Sequence, residues 1–212
     1  MADNRQVLVP PERLEGWVRR FGERNGPFDV ENGPDGVTLT AENGCTAMLT
    51  PPWPGDDGPV SDPLGALLSN AAAPRVIGLL LIRRGGYAVG VAAGGTLTAS
   101  KTGTKYVQSR TAAGGWSQQR FARRRSNQAD ALVDAAVSKA AEIFAGHSID
   151  SIQLGGDRTL TTNALGSDLL ANYAQVTKLP FLVVPDPRLA VLRQAAVDAR
   201  SIRVDITGIP VS

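Results

Sequence analysis

The spacing of hydrophobic and polar positions changes several times along the chain, and each change marks an element. After Pro11, ERLEGWVRRFGER sets Leu14, Trp17, Val18 and Phe21 on one side of a 3.6-residue period. A proline suits the first turn of the helix this predicts, and Asn25-Gly26 ends it. VTLT and CTAMLT follow as short β-like runs around Asn43-Gly44, a hairpin signal. Together they predict a small αββ unit over residues 1–50. TPPWPGDDGPVSDP is rich in Pro and Gly and reads as a linker, with LGALLSNAAA a short helix beside it, covering residues 51–74.

From Arg75 the pattern becomes that of strands. RVIGLLLIRR is a buried strand, Gly85-Gly86 turns into YAVGVAA, and Gly94-Gly95 turns into TLTASKT. KYVQSRT supplies a fourth β-like segment. After Ser126 the period lengthens again. NQADALVDAAVSKAAEIFAG places Leu132, Ala136, Val137, Ala140, Ile143 and Phe144 on a helical stripe, with Ser126 or Asn127 as cap and Gly146 as stop. Then come a strand (SIQLGG), a helix (TTNALGSDLLANYAQ), a strand (FLVVP), a helix (RLAVLRQAAVDA) and a last strand (IRVDI). Antiparallel strands followed by alternating helix and strand predict an α/β (α+β) domain over residues 75–212, a mixed sheet covered by helices.

Composition adds limits. With 42% hydrophobic and 20% charged residues the 212-residue chain is globular, and with 5% aromatics its core rests on Val, Leu, Ile and Ala. The longest apolar run, VIGLLLI, is too short to span a bilayer, and the N-terminal residues lack the regions of a signal peptide, so a cytoplasmic protein is expected. The lone Cys45 forms no internal disulfide and is expected to pack in a strand.

The net charge of +2 hides its distribution. Residues 63–129 contain no Asp or Glu but ten basic residues, among them Arg75, Arg83, Arg84, Lys101, Lys105 and Arg110. Such a segregated field attracts a polyanion, and nucleic acid is the partner it favours. One histidine and one cysteine exclude a zinc site and a Ser-His-Asp triad, so neither metal nor cofactor is expected. His147, just past a helix end, reads as a capping or surface residue. GGDR, residues 155–158, joins strand to helix, and its glycines read as packing rather than as a phosphate cradle.

The remaining candidate is RTAAGGWSQQRFARRR, residues 110–125, read as a loop. Ala112, Ala113, Gly114 and Gly115 keep the backbone thin enough for close approach to another molecule. Ser117, Gln118 and Gln119 offer neutral donors and acceptors. Lys105 and Arg110 precede this tip, and Arg120, Arg123, Arg124 and Arg125 follow it. Phosphate contacts from these side chains and from Lys101 would position the protein, and the amides would act beyond them.

KTGTKYVQSRTAAGGWSQQRFARRRSNQ, with the strands before it and the helix after it, resembles the bacterial branch of the Vms-like release factors, related to the central domain of archaeal and eukaryotic class-one peptide release factors. The resemblance covers roughly residues 75–206. It implies a domain of RNase H-like topology whose Gly-Gly-Gln-bearing loop enters the peptidyl-transferase centre of the large ribosomal subunit and hydrolyses peptidyl-tRNA. In this chain Trp116 and Ser117 separate Gly114-Gly115 from Gln118. Matching Ser-Gln to the family's loop carries the catalytic glutamine onto Gln118, with Gln119 as second choice. Two other readings stand beside hydrolysis: cleavage near the tRNA acceptor end, and binding of RNA or ribosome without catalysis.

Overall fold

The computed structural model describes residues 5–53, 61–104 and 116–208, with 116–126 described by backbone alone. The chain divides into two compact units, Met1–Pro74 with Val197–Ser212, and Arg75–Ala196.

The first unit holds β1 (Arg5–Val9), α1 (Pro11–Asn25), β2 (Phe28–Gly33), β3 (Gly36–Ala41), β4 (Thr46–Thr50), α2 (Pro63–Ala72) and, from the far end of the chain, β10 (Ile202–Thr207). The strands form one antiparallel sheet in the order β1-β10-β4-β3-β2. Alternation puts Val9, Leu39, Ala47, Leu49, Ile202 and Val204 on one face, where they pack with Leu14 and Phe21 of α1 and Leu67 and Ala71 of α2. The expected αββ unit is thus part of a larger layer. The single domain expected over residues 75–212 is corrected at its end, because β10 pairs with β1 and β4. Cys45 is buried just before β4 rather than within it, and its N–H donates to Asn43 Oδ1 at 2.9 Å.

The second unit holds β5 (Val76–Arg83), β6 (Gly86–Ala93), β7 (Thr96–Thr104), α3 (Trp116–Phe144), β8 (Ser151–Gly156), α4 (Arg158–Leu165), β9 (Thr177–Lys178) and most of α5 (Leu189–Asp198). Its sheet runs β7-β6-β5-β8-β9. The first three strands in sequence are antiparallel, and β8 and β9 continue parallel on the other side of β5. This is the expected RNase H-like arrangement in a mixed α+β chain. Leu80, Ile82, Val89, Val91 and Ile152 pack with Leu132, Ala136, Val137, Ala140 and Phe144 of α3. Ile77, Leu79, Leu81, Ala88 and Ala92 point to the opposite face and are also buried. A strand covered on both faces has no polar register, which is why VIGLLLI is continuously apolar.

Three boundaries differ from the pattern-based expectation. First, α3 begins at Trp116, not after Ser126, because no Gly or Pro interrupts residues 116–145 and Gln, Arg and Ala propagate a helix well. Second, TTNALGSDLLANYAQ is two pieces: α4 ends before Gly166, and a 3-10 helix covers Asp168–Tyr173. Third, FLVVP is not a strand, and only Leu182 bridges to Gly155. The expected segment KYVQSRT, residues 105–111, lies outside the described residues.

Candidate functional site

Strand directions gather the second unit's loops. β5 and β8 run parallel, with Ile82 opposite Gly156, so both finish at one end of the sheet. β7 finishes there too, because Gly86, at the start of β6, pairs with Thr104. Residues 105–115 leave from that point, and α3 must return to the other end, where Ser151 of β8 pairs with Ile77.

Helix α3 is 29 residues, or about 43 Å, whereas the eight-residue β5 spans about 27 Å. Among the described residues the buried positions of α3 start at Leu132. The excess of about three turns therefore falls at the N-terminal end, beyond the sheet. Gln118, Gln119, Arg120, Arg123, Arg124 and Arg125 all occupy this stretch of helical backbone. That corrects the expected loop: for 116–125 it is helix, and the amide and arginine positions are spaced by a 3.6-residue turn. Gly114, Gly115, Lys105 and Arg110 lie outside the described residues.

Lys101 is not gathered with the others. It is exposed on β7 opposite Val89, on the side of the sheet that α3 covers. Its charge is felt by Glu142, near the C-terminal end of α3. The Glu142 carboxyl is held below the usual carboxylate range chiefly by the hydrogen bond from Lys139 Nζ at 2.6 Å, then by the charge of Lys139, with Lys101 adding to it. The same contact raises Lys139.

The remaining candidates have structural tasks. His147 lies 3.0 Å through Nδ1 from the carbonyl of Ile143 and caps the end of α3. Gly156 has φ +100, and a Cβ there would stand 2.3 Å from the Ile82 carbonyl oxygen; one on Gly155 would stand 2.8 Å from Leu81. These glycines serve strand packing, as expected. Asp157 caps α4 through a hydrogen bond from the Leu160 N–H, 3.2 Å. Among the described residues no three His, Cys, Asp or Glu side chains cluster as a metal site, and no helix is long and apolar enough to cross a membrane.

Charge follows the division into units. The second unit has 15 basic and 7 acidic residues, the first 7 basic and 13 acidic. The excess of basic residues belongs to the unit that carries α3. Arg83, Arg84 and Arg158 share the sheet end at which β5 and β8 finish.

Among solved structures, the chain is similar to "Vms1 mitochondrial localization core", with TM-score 0.44 and 10% identity over 95% of this chain and 82% of that one. It is also similar to an archaeal translation termination factor, aRF1, with TM-score 0.43 and 14% identity over 94% of this chain and 65% of that one. A search of curated proteins gives no match. A family model described as the Actinobacteria/chloroflexi VLRF1 release factor matches residues 75–205, the second unit and most of β10. That match spans more than half of the sequence, and the chain belongs to this Vms-like release factor family.

Proposed function

We propose that the protein is a peptidyl-tRNA hydrolase acting on ribosomes, or on large subunits still obstructed by nascent chain and tRNA. Membership of a release-factor family supports a ribosome-related role in release or rescue. The observation that carries the finer reading is that the family match spans Gly114-Gly115 and the Gln118 that follows on α3.

In this reading the basic residues Lys105, Arg110, Arg120, Arg123, Arg124 and Arg125 grip RNA backbone, with Lys101 at the margin. Gly114 and Gly115 let the chain approach closely, and Gln118 orders the attacking water, with Gln119 as its alternate. Water attacks the ester carbonyl, a backbone N–H supports the developing oxyanion, and the acyl–oxygen bond breaks. One proton of the water passes to the departing ribose oxygen, the other is lost to solvent, and the nascent chain leaves as a carboxylate. The chain supplies neither His nor Cys for this step, which is intelligible if RNA completes the site. Such a protein works in the cytoplasm.

The test is the 3′ end of tRNA released from stalled large subunits by the full chain. An intact acceptor end means ester hydrolysis. A shortened end replaces the proposal with nuclease activity, and tight binding without release replaces it with a binding module.

A further inference from the structure

We propose that Arg84 and Arg158, with Arg83 beside them, form a second RNA-backbone contact at the end of the second unit's sheet, separate from the arginines of α3. The proposal rests on the reading of the protein as an RNA-directed factor, and it names residues that neither the loop nor the helix includes.

Three adjacent chain segments end together here. Ile82 pairs with Gly156, and the Asp157 N–H donates to the Ile82 carbonyl at 2.7 Å. On the far side of β8, Leu182 bridges Gly155, and the Gly156 N–H donates to the Leu182 carbonyl at 3.1 Å. Neighbouring segments in a sheet are spaced by about 4.8 Å, so Arg83, Arg158 and residues 181–184 leave the sheet side by side. Arg84 opens the turn into β6.

Two of the arginines are held in place by uncharged groups. The Arg158 guanidinium lies 4.4 Å from the centre of the Phe181 ring. Arg83 donates through Nη1 to the Val184 carbonyl at 2.9 Å, and its stem crosses Gly156, where a Cβ would stand 3.0 Å from Arg83 Cγ. Arg83, Arg84 and Arg158 are all exposed. Among the described residues, none of them forms an ion pair with a carboxylate. The nearby Asp157 is engaged as the cap of α4. That cap already occupies the helix N-terminus, so any anion here is bound by the arginines.

An arginine steadied by a ring or a carbonyl keeps most of its five donors free, and its charge is not cancelled. That arrangement suits phosphate, because little freedom remains to be lost on binding. Val183, 93% exposed next to Phe181's segment, gives the patch an apolar rim against which a ribose or base can lie. The RNA strand reached by the start of α3 would then be held at a second point, which fixes its direction across the sheet end.

The test uses the full chain and a fluorescent RNA hairpin of about twelve base pairs with a single-stranded 3′ tail, titrated at several salt concentrations. Arg84→Gln and Arg158→Gln are each expected to weaken binding several-fold at about 0.1 M salt and to lower the salt slope by about one, the pair by about two. Arg158→Lys keeps the charge, and is expected to recover the salt slope but not all the affinity. Arg19→Gln, on the first unit, is expected to change nothing. Arg83 is left intact because its bond to Val184 ties the fold. Unchanged affinity and slope in the Arg84/Arg158 pair overturn the second contact while leaving hydrolysis by the α3 residues standing. Loss of binding in the pair, with no peptide release by the wild type, supports the contact and removes the hydrolase reading. A wild type that does not bind the hairpin overturns the second contact, while peptide release from stalled large subunits decides the hydrolase reading by itself.

Discussion

At the scale of single residues, the sharpest expectation concerns two neighbouring amides. Positions 118 and 119 are helical and lie about 100° apart around the α3 axis. In the hydrolase reading one of the two orders the attacking water. Gln118→Ala is expected to lower single-turnover peptide release by about 10²–10³-fold, roughly 2.7–4 kcal/mol of barrier, the loss seen when one preorganised donor is removed. Ribosome affinity should stay nearly constant, because a neutral amide adds little beside phosphate contacts. Gln119→Ala is the control; a large loss there alone moves the role one residue along, and wild-type rates in the double variant end glutamine catalysis. A different residue pair makes a pH-dependent prediction. Glu12 on α1 accepts a hydrogen bond from Arg200, and chiefly for that reason its carboxyl sits below the usual carboxylate range. A depressed folded pKa stabilises above the unfolded value, and that stability is lost as pH falls through the folded one. Glu12 is 62% exposed, so screening limits the pair to about 0–1 kcal/mol. Arg200→Gln should lower the melting temperature slightly at neutral pH, and the two melting curves should merge below the carboxylate range. A gap that persists in strong acid would show that the pair is not its cause.

At the scale of elements, α3 has two halves with different tasks. From Leu132 onward it packs on the sheet, and before that it carries the arginine run. Changing Arg123, Arg124 and Arg125 to Ala should keep the helix, since alanine is the best helix former. It should also leave thermal stability unchanged, weaken ribosome association and flatten its salt dependence by up to about three in slope. A salt titration that superimposes on wild type would refute the contact. The packed half was legible from sequence, because Leu132, Ala136, Val137 and Ala140 repeat at helical spacing. The arginine half was not: WSQQRFARRRS carries no apolar period, and only the absence of Gly and Pro marks it. Strands β5 and β6 were legible from their apolar runs and glycine turns. FLVVP looked like a strand for the same reason, yet it only skirts β8. β1 and β2 were missed: RQVLV is buried only at Val9, and FDVENG has no fully buried position. The candidate site was legible as a set of residue types, whereas its placement at one sheet end depends on strand directions that no local pattern encodes.

At the scale of the whole molecule, the first unit depends on residues at both ends of the chain. β10 is an inner strand, and without it β1 has no partner. Ile202 and Val204 are fully buried in that unit's core. Val204→Asp should cost several kcal/mol, since it buries a carboxylate among Val9, Leu49 and their neighbours. Cys45 supplies the readout. Burial pushes its thiol pKa up, so alkylation of the native protein should be slow, and the Val204 variant should react much faster. Equal rates would mean that β10 is dispensable. The same pairing has a consequence for synthesis. Translation delivers β1 to β4 early and β10 late, while Arg75–Ala196 emerges as one continuous stretch. The sheet begun first must wait for β10 until the second unit has been made, with Leu39 and Leu49 lacking their last partners. The strands made first are thus the ones whose sheet is completed last, after the whole of the second unit.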